Sequence, residues 1–306
     1  MKRNPLNWCR QKLQGCWRWY KSLYQGRAWY TKTLSALATL LVLLLLYLGM
    51  VDVNFLGLFG RSPGFMSGLE PQISQASEIY SADGVMIGKY FSENRTPVKY
   101  EEVNPNFWCV LIDTEDERFY RHIGIDPLGM FAAAKDALLH HDARGASTIT
   151  QQLAKNMFKM RTKYSNGPLG RLPGVGMLIT KTKEWIVALK LERMYSKEEI
   201  LTMYANTVDF GSNAFGIKTA AKTYFDTTPK DLRLEQAAVL VGMLKATTTY
   251  NPISHPENSL KRRNLVLHNM VERGHLTEAQ YDSLRQIPIT LDFSVEKNYD
   301  GQALYF

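Results

Sequence analysis

The sequence predicts a mainly α-helical chain, held by one N-terminal transmembrane helix and entered through a small β-hairpin. Three observations carry this. A long uncharged apolar run follows a basic tail, helix-capping patterns recur through the second half, and one Asp-Gly turn sits between alternating apolar stretches. With 306 residues, 45% of them hydrophobic and 22% charged, the chain can bury a sizeable core and is not intrinsically disordered.

The net charge of +8 is unevenly placed, because residues 1–32 hold eight Lys or Arg and no acid. Removing those eight from the 37 basic residues leaves 29, equal to the 29 acidic ones, so the rest of the chain is neutral. A general nucleic-acid binder would carry its positive charge on the folded part, so no nucleic-acid partner is expected. The tail runs into Leu34–Val51, LSALATLLVLLLLYLGMV, 18 residues without a charge. At about 1.5 Å per residue this run nearly reaches the ~30 Å of a bilayer core. A buried core helix rarely follows so many uncompensated cations. A cleaved signal peptide would have a shorter apolar region and then a small-x-small site, whereas Asp52-Val-Asn-Phe-Leu follows here. The reading is an uncleaved anchor, with a basic cytoplasmic tail at 1–33, a span at 34–51 and residues 52–306 outside. Trp8, Trp17, Trp19, Tyr20, Tyr24, Trp29 and Tyr30 suit a tail at the inner interface or a partner-binding segment.

Beyond the span, residues 52–70 read as a Gly-rich linker, and Asp83-Gly84 marks a hairpin; together these occupy 52–99. A helical domain is expected over 100–290 and a tail over 291–306. Ser196-x-x-Glu199 and Thr277-x-x-Gln280 look like capping boxes. Thr228-Pro229-Lys-Asp231 offers an N-cap to LEQAAVLVGML, and Gly274 stops a helix that begins near Pro256. Cys9 and Cys16 fall in the reducing compartment, while Cys109 is alone outside, so no disulfide is expected there. No zinc-type Cys/His spacing occurs.

Three segments carry chemistry. In Glu115-Asp116-Glu117-Arg118-Phe119-Tyr120-Arg121-His122-x-Gly124, a helix would align Glu115, Phe119 and His122 on one face. A carboxylate against such an apolar wall can act as a general base, while His122 reads as a hydrogen-bonded structural residue. In Gly145-Ala-Ser147-Thr148-Ile-Thr150-Gln151-Gln152, hydroxyls and amides precede a helix, a natural site for phosphate or sugar oxygens. An ordinary cap by Thr148 and Gln151 would use only part of them. Lys155–Lys197 holds ten Lys or Arg and two acids, Glu184 and Glu192, which implies an anionic partner. Within it, Lys181-x-Lys183-Glu184 suits a diphosphate, with or without a divalent metal.

The E-D-x-x-F-x-x-H-x-G of 115–124 and the G-x-S-T-I-T-Q-Q of 145–152 resemble the first two signatures of glycosyltransferase family 51, the peptidoglycan glycosyltransferases of class A penicillin-binding proteins and monofunctional transglycosylases. Lys181-x-x-Glu184 resembles the third. Tyr204-x-Asn206 through Gly211 resembles the fourth. Leu234-Glu235-x-Ala237-Ala238, with Asn251-Pro252 and Arg262-Arg263-Asn264, resembles the fifth. The resemblance covers roughly 100–275. It implies a lysozyme-like bilobal helical fold at the extracytoplasmic face of a bacterial inner membrane, polymerising lipid II with inversion and release of undecaprenyl diphosphate. On it, Glu115 is the base and Glu184 the second essential glutamate, near the diphosphates. Ser147, Thr148, Gln151, Gln152, Lys155, Lys181, Lys183 and Asn206 bind substrate; Asp116, Phe119, His122 and Gly145 give structural support. A divalent metal, Mg or Mn, at Glu184 is the only cofactor it suggests. The partners are lipid II, the growing glycan chain, the membrane and other cell-wall synthesis proteins.

The chain departs from the family pattern at Thr180, where Arg is usual, at Thr207 and Asp209, and in a longer Gly/Pro-rich stretch within 159–180. That stretch, over Gly167–Ile179, is expected to be mobile and to touch the outer membrane surface. Ser294-x-x-Lys297 has the form of a penicillin-reactive motif, but no K-T-G occurs, so glycosyltransferase activity alone is expected. Two other classes fit less well, a lysozyme-like wall hydrolase and a non-catalytic wall-synthesis scaffold.

Overall fold

A computed structural model describes residues 5–22, 28–60, 77–83, 86–90, 94–140, 145–158 and 166–294. The basic tail forms helix α1 (Pro5–Ser22) and the apolar run lies within α2 (Trp29–Asp52). Among the described residues α2 alone is long and apolar enough to cross a membrane. Strands β1 (Ser77–Tyr80) and β2 (Met86–Tyr90) pair antiparallel around the Asp83 turn, as the Asp-Gly signal predicts; Gly84 lies outside the described residues. So do 61–76 of the predicted linker and Lys297.

A second, two-residue pair joins distant parts of the chain. β3 (Asn94–Arg95) runs parallel to β4 (Ala214–Phe215). Between and after them come α3 (Pro105–Glu115), α4 (Pro127–His140), α5 (Ile149–Met157), α6 (Val175–Met194), α7 (Lys197–Thr207), α8 (Ile217–Phe225), α9 (Leu234–Met243), α10 (Pro256–Glu272) and α11 (Glu278–Gln286). The capping boxes at Ser196 and Thr277 form as predicted, each with its reciprocal side-chain bond. Gly274 follows α10 at φ +77°, the left-handed conformation that ends helices.

One predicted cap moves. Thr228 closes a turn on Asp231 rather than starting α9, whose N-cap is Arg233. The cause is tertiary: the Asn104 backbone N–H and side-chain amide bond the carbonyls of Pro229, Lys230 and Leu232, holding that segment out of the helix.

The helices pack in two groups. α9, apolar on all sides, is buried between α3 and α10, and α11 lies on α10. α5 packs between α6 and α7. One continuous core, including Phe107, Leu111, Phe119, Leu153, Leu191, Tyr204, Leu240 and Leu267, runs through both. A smaller cluster of Val51, Phe59 and Ile179 joins the end of α2 to α6. The stretch expected to be mobile is built into this junction. Pro168–Arg171 forms a 3-10 turn, Leu169 N–H donates to the Leu58 carbonyl at 3.1 Å, and Val175 begins α6. Residues 159–165 lie outside the described residues.

Candidate active site

Glu115 is the last residue of α3, and Asp116 leaves the helix in an extended conformation. Glu115, Phe119 and His122 therefore do not share one helical face; Phe119–Arg121 is a separate 3-10 turn. The break follows from what Asp116 binds. Its buried carboxylate accepts the Ile149 N–H at 2.9 Å and faces His122 Nε2 at 2.9 and 3.0 Å. His122 Nδ1 accepts the Gly124 N–H at 3.1 Å, so the ring carries its proton on Nε2, toward Asp116. Phe119 packs edge-on against this ring at 6.1 Å. Asp116, Phe119 and His122 thus pack together in the turn that follows Glu115.

The turn also sets the start of α5. Thr148 caps it by accepting the Gln151 N–H at 3.2 Å. The reciprocal half of a capping box does not form, because the Gln151 amide donates instead to the Gly124 carbonyl at 3.2 Å, beside the Thr148 hydroxyl at 2.8 Å. Thr148 and Gln151 are buried, and their polar atoms are used inside the protein. Both, expected to bind substrate, are engaged with the Gly124 turn. Gly124 sits at φ +89°, and a Cβ there would come within 2.9 Å of the Ala188 carbonyl on α6.

Gln152 points the other way. Its Nε2 donates to Glu115 Oε2 at 2.7 Å, and its Oε1 accepts the Tyr204 hydroxyl at 3.0 Å. The phenol fixes the amide, since a hydroxyl donating to Oε1 leaves Nε2 for the carboxylate. Burial pushes the Glu115 carboxyl above its ordinary value, opposed by the Gln152 bond and the charges of Arg262 and Lys155, with Asp116 adding to the rise. Burial, then the Glu115 charge, pushes the Tyr204 phenol well up, which keeps its donating proton in place.

The second glutamate, Glu184, is buried on α6. Its Oε2 lies 2.7 Å from Lys181 Nζ, which also donates to Ser147 Oγ at 3.0 Å. One short segment, Ser147 to Lys155, thus touches the Glu115 side through Gln152 and the Glu184 side through Ser147. An ammonium, a hydroxyl and a carboxylate grouped so can receive a diphosphate opposite a base.

Three predicted residues are placed elsewhere. Lys183 is two positions from Lys181, about 200° around the helix, so it faces α2. It is buried, donates to the Gly60 carbonyl at 3.0 Å, and is pushed down to about 8 by burial. Asn206 exchanges both amide bonds with Val98 backbone, at 2.9 and 2.8 Å, and joins α7 to the segment after β3. Gly145 is exposed, and the space where its side chain would stand is open. Glu192 and Arg262 carry roles that the spacing does not reveal. Glu192 accepts the Thr150 hydroxyl at 2.6 Å and pairs with Lys197, tying α5, α6 and α7. Arg262 acts on Glu115 by charge from α10.

Glu184, paired with the Lys181 ammonium, belongs to no cluster of three His, Cys, Asp or Glu ligand groups among the described residues. A Mg2+ or Mn2+ ion held through this one carboxylate would take its other oxygens from water and a substrate diphosphate.

A sequence model of the transglycosylase family matches residues 83–271. Penicillin-binding protein 1A of Escherichia coli (strain K12) is 39% identical over 217 residues, 71% of this chain and 24% of the relative. Penicillin-binding protein 1F of Bacillus subtilis (strain 168) is 38% identical over 203 residues, 66% of this chain and 27% of the relative. The crystal structure of penicillin-binding protein 1A from Haemophilus influenzae matches at a TM-score of 0.40 and 22% identity, covering 72% of this chain and 22% of that one. The chain spans about a quarter of the length of these relatives.

Proposed function

Because the chain belongs to the transglycosylase family, we propose that it polymerises lipid II into β-1,4-linked glycan strands, with inversion and release of undecaprenyl diphosphate. The observation that carries this reading is Glu115 itself, a half-buried carboxylate held by an oriented amide, with desolvation pushing its pKa up. A base poised nearer neutrality accepts a proton more readily than a solvated carboxylate. In the proposed step the acceptor 4-hydroxyl oxygen bonds to the donor anomeric carbon as its proton passes to Glu115. The bond from that carbon to the diphosphate oxygen breaks, and the electron pair leaves with the diphosphate. The ammonium of Lys181, held by Glu184 and Ser147, supports a role in meeting the departing charge. No acid is needed for such a leaving group, which is where this chemistry parts from that of a glycosidase. No step is assigned to a metal. The apolar helix α2 supports a single-pass inner-membrane location with residues 52–306 on the periplasmic side, where a lipid-linked substrate would be at hand.

The test is a gel assay of the detergent-solubilised chain with labelled lipid II. Long glycan from wild type and none from a folded Glu115→Gln variant is the expected result. Equal product from both would remove Glu115 as the base. Clearing of finished cell wall with no polymer would favour hydrolysis.

A further inference from the structure

Behind the site, α3 presents a second group of chemically active side chains. Cys109 and Asp113 stand four residues apart on α3, hence on one face. His275 reaches the same place from the α10–α11 corner. Their ligating atoms, the Cys109 sulfur, one Asp113 oxygen and one His275 ring nitrogen, all lie within 4.8 Å of one another. His275 Nδ1 is 2.6 Å from Asp113 Oδ2, and Cys109 Sγ is 3.8 Å from the same oxygen. We propose that Cys109, Asp113 and His275 form a three-ligand site for a borderline-soft divalent cation of the zinc class, distinct from the glutamate site.

The donor set argues for that class. A thiolate and a carboxylate together neutralise a divalent ion, and imidazole with sulfur selects zinc-like ions over Mg2+ or Ca2+. Bond lengths of about 2.0 to 2.3 Å place tetrahedral ligand atoms roughly 3.3 to 3.8 Å apart. The sulfur–oxygen separation already has this value. The nitrogen and oxygen now share a proton, and need to part by under about 1 Å. Three protein ligands leave one tetrahedral position for water or an exogenous ligand.

The scaffold holds the ligands well. Asp113 is buried while His275 is half-exposed, so an ion can enter from the histidine side. The histidine backbone is pinned, because the Gly274 and His275 N–H groups close the end of α10 on the Val271 and Met270 carbonyls. Arg273 is the nearby cation that would oppose a metal, and it is paired with Glu117. Binding releases one proton: the Cys109 S–H bond breaks, a sulfur–metal bond forms and that proton goes to solvent, while the proton between Asp113 and His275 moves to His275 Nε2 and frees Nδ1 for the metal. The bound ion would tie the last turns of α3, which end at Glu115, to the corner between α10 and α11.

The test is titration of the detergent-solubilised full chain with Co2+, then Zn2+, in a Cys9→Ser, Cys16→Ser background that leaves Cys109 as the single thiol. One equivalent of Co2+ giving a sulfur-to-metal charge-transfer band that Zn2+ erases is expected. Cys109→Ser should lose the band. His275→Gln, at a half-exposed position that tolerates the change, should weaken binding by at least about tenfold, the effect of losing even an outer-shell partner. Circular dichroism checks that each variant is folded. No band in the folded parent chain, or binding equal in parent and His275→Gln, would overturn the site.

Discussion

At the level of single residues, Glu115 is held where its charge is costly. Its carboxyl is raised above its unfolded value of 4.5, chiefly by burial. In the window above 4.5 the folded state therefore holds more of the proton than the unfolded state does. Stability falls as pH rises through that window, and the cost is fully present above the folded pKa. A Glu115→Gln variant, which keeps an oxygen for the Gln152 amide, should melt higher than wild type near pH 7 and no higher near pH 4. A constant difference at both pH values would contradict this sign. The Gln152 bond works in the opposite sense, lowering the Glu115 pKa. Gln152→Ala should move the acidic limb of the kcat/KM profile to higher pH, and an unmoved limb would mean the amide does not control the base. Glu115 and Gln152 are both legible in the sequence as polar residues in motifs. Their contact is not, because it depends on Tyr204 turning the amide from another helix.

Among the elements, the break after α3 matters most. A continuous helix from Glu115 to His122 satisfies the hydrophobic spacing, but the chain gives it up so that Asp116 can meet His122 and the Ile149 N–H. The turn then passes so close to α6 that only glycine fits at 124. Gly124→Ala combines a strained positive φ with a clash against the Ala188 carbonyl, and should cost about 1–3 kcal/mol. It should also lower kcat, because the Gly124 carbonyl receives both Thr148 and Gln151, which set the start of α5. Thermal melts and lipid II turnover on the same preparation check both effects, and a fully active, fully stable variant would show that the contact is dispensable. Capping boxes were readable because each needs only four consecutive residues. The Thr228 cap misled because Asn104, far back in the chain, competes for the same backbone.

Over the whole molecule, the long apolar helix α2 packs against α6, the helix that carries the second glutamate. Tyr47 bonds Thr182 at 3.1 Å, Asp52 pairs with Lys190, and Lys183 reaches Gly60, so α6 is held to α2 along the face opposite Lys181. Val51, Phe59 and Ile179 are buried only by that junction. Deleting residues 1–60 removes Val51 and Phe59 and uncovers Ile179, at about 1.5–3 kcal/mol for a large apolar side chain. The shortened chain should show faster amide exchange across Val175–Lys190, measured by mass spectrometry. Exchange equal to that of the full chain would show that α6 is ordered without α2.

The sequence by itself determined the long apolar run, the mainly helical class, most helix ends and the family, and it singled out two glutamates and the lysine beside the second. These depend on periodicity, caps and local motifs, which are properties of neighbouring residues. The tertiary structure decided which polar groups meet at Glu115 and Glu184 and which bond backbone elsewhere in the frame. Lys183 and Asn206 look as reactive in the sequence as Lys181 and Gln152, yet each is used to bond backbone from another segment. Cys109, Asp113 and His275 meet only because α10 packs against α3. A buried polar group must find a partner, and the partner is supplied by whichever distant segment the packing brings within hydrogen-bond reach.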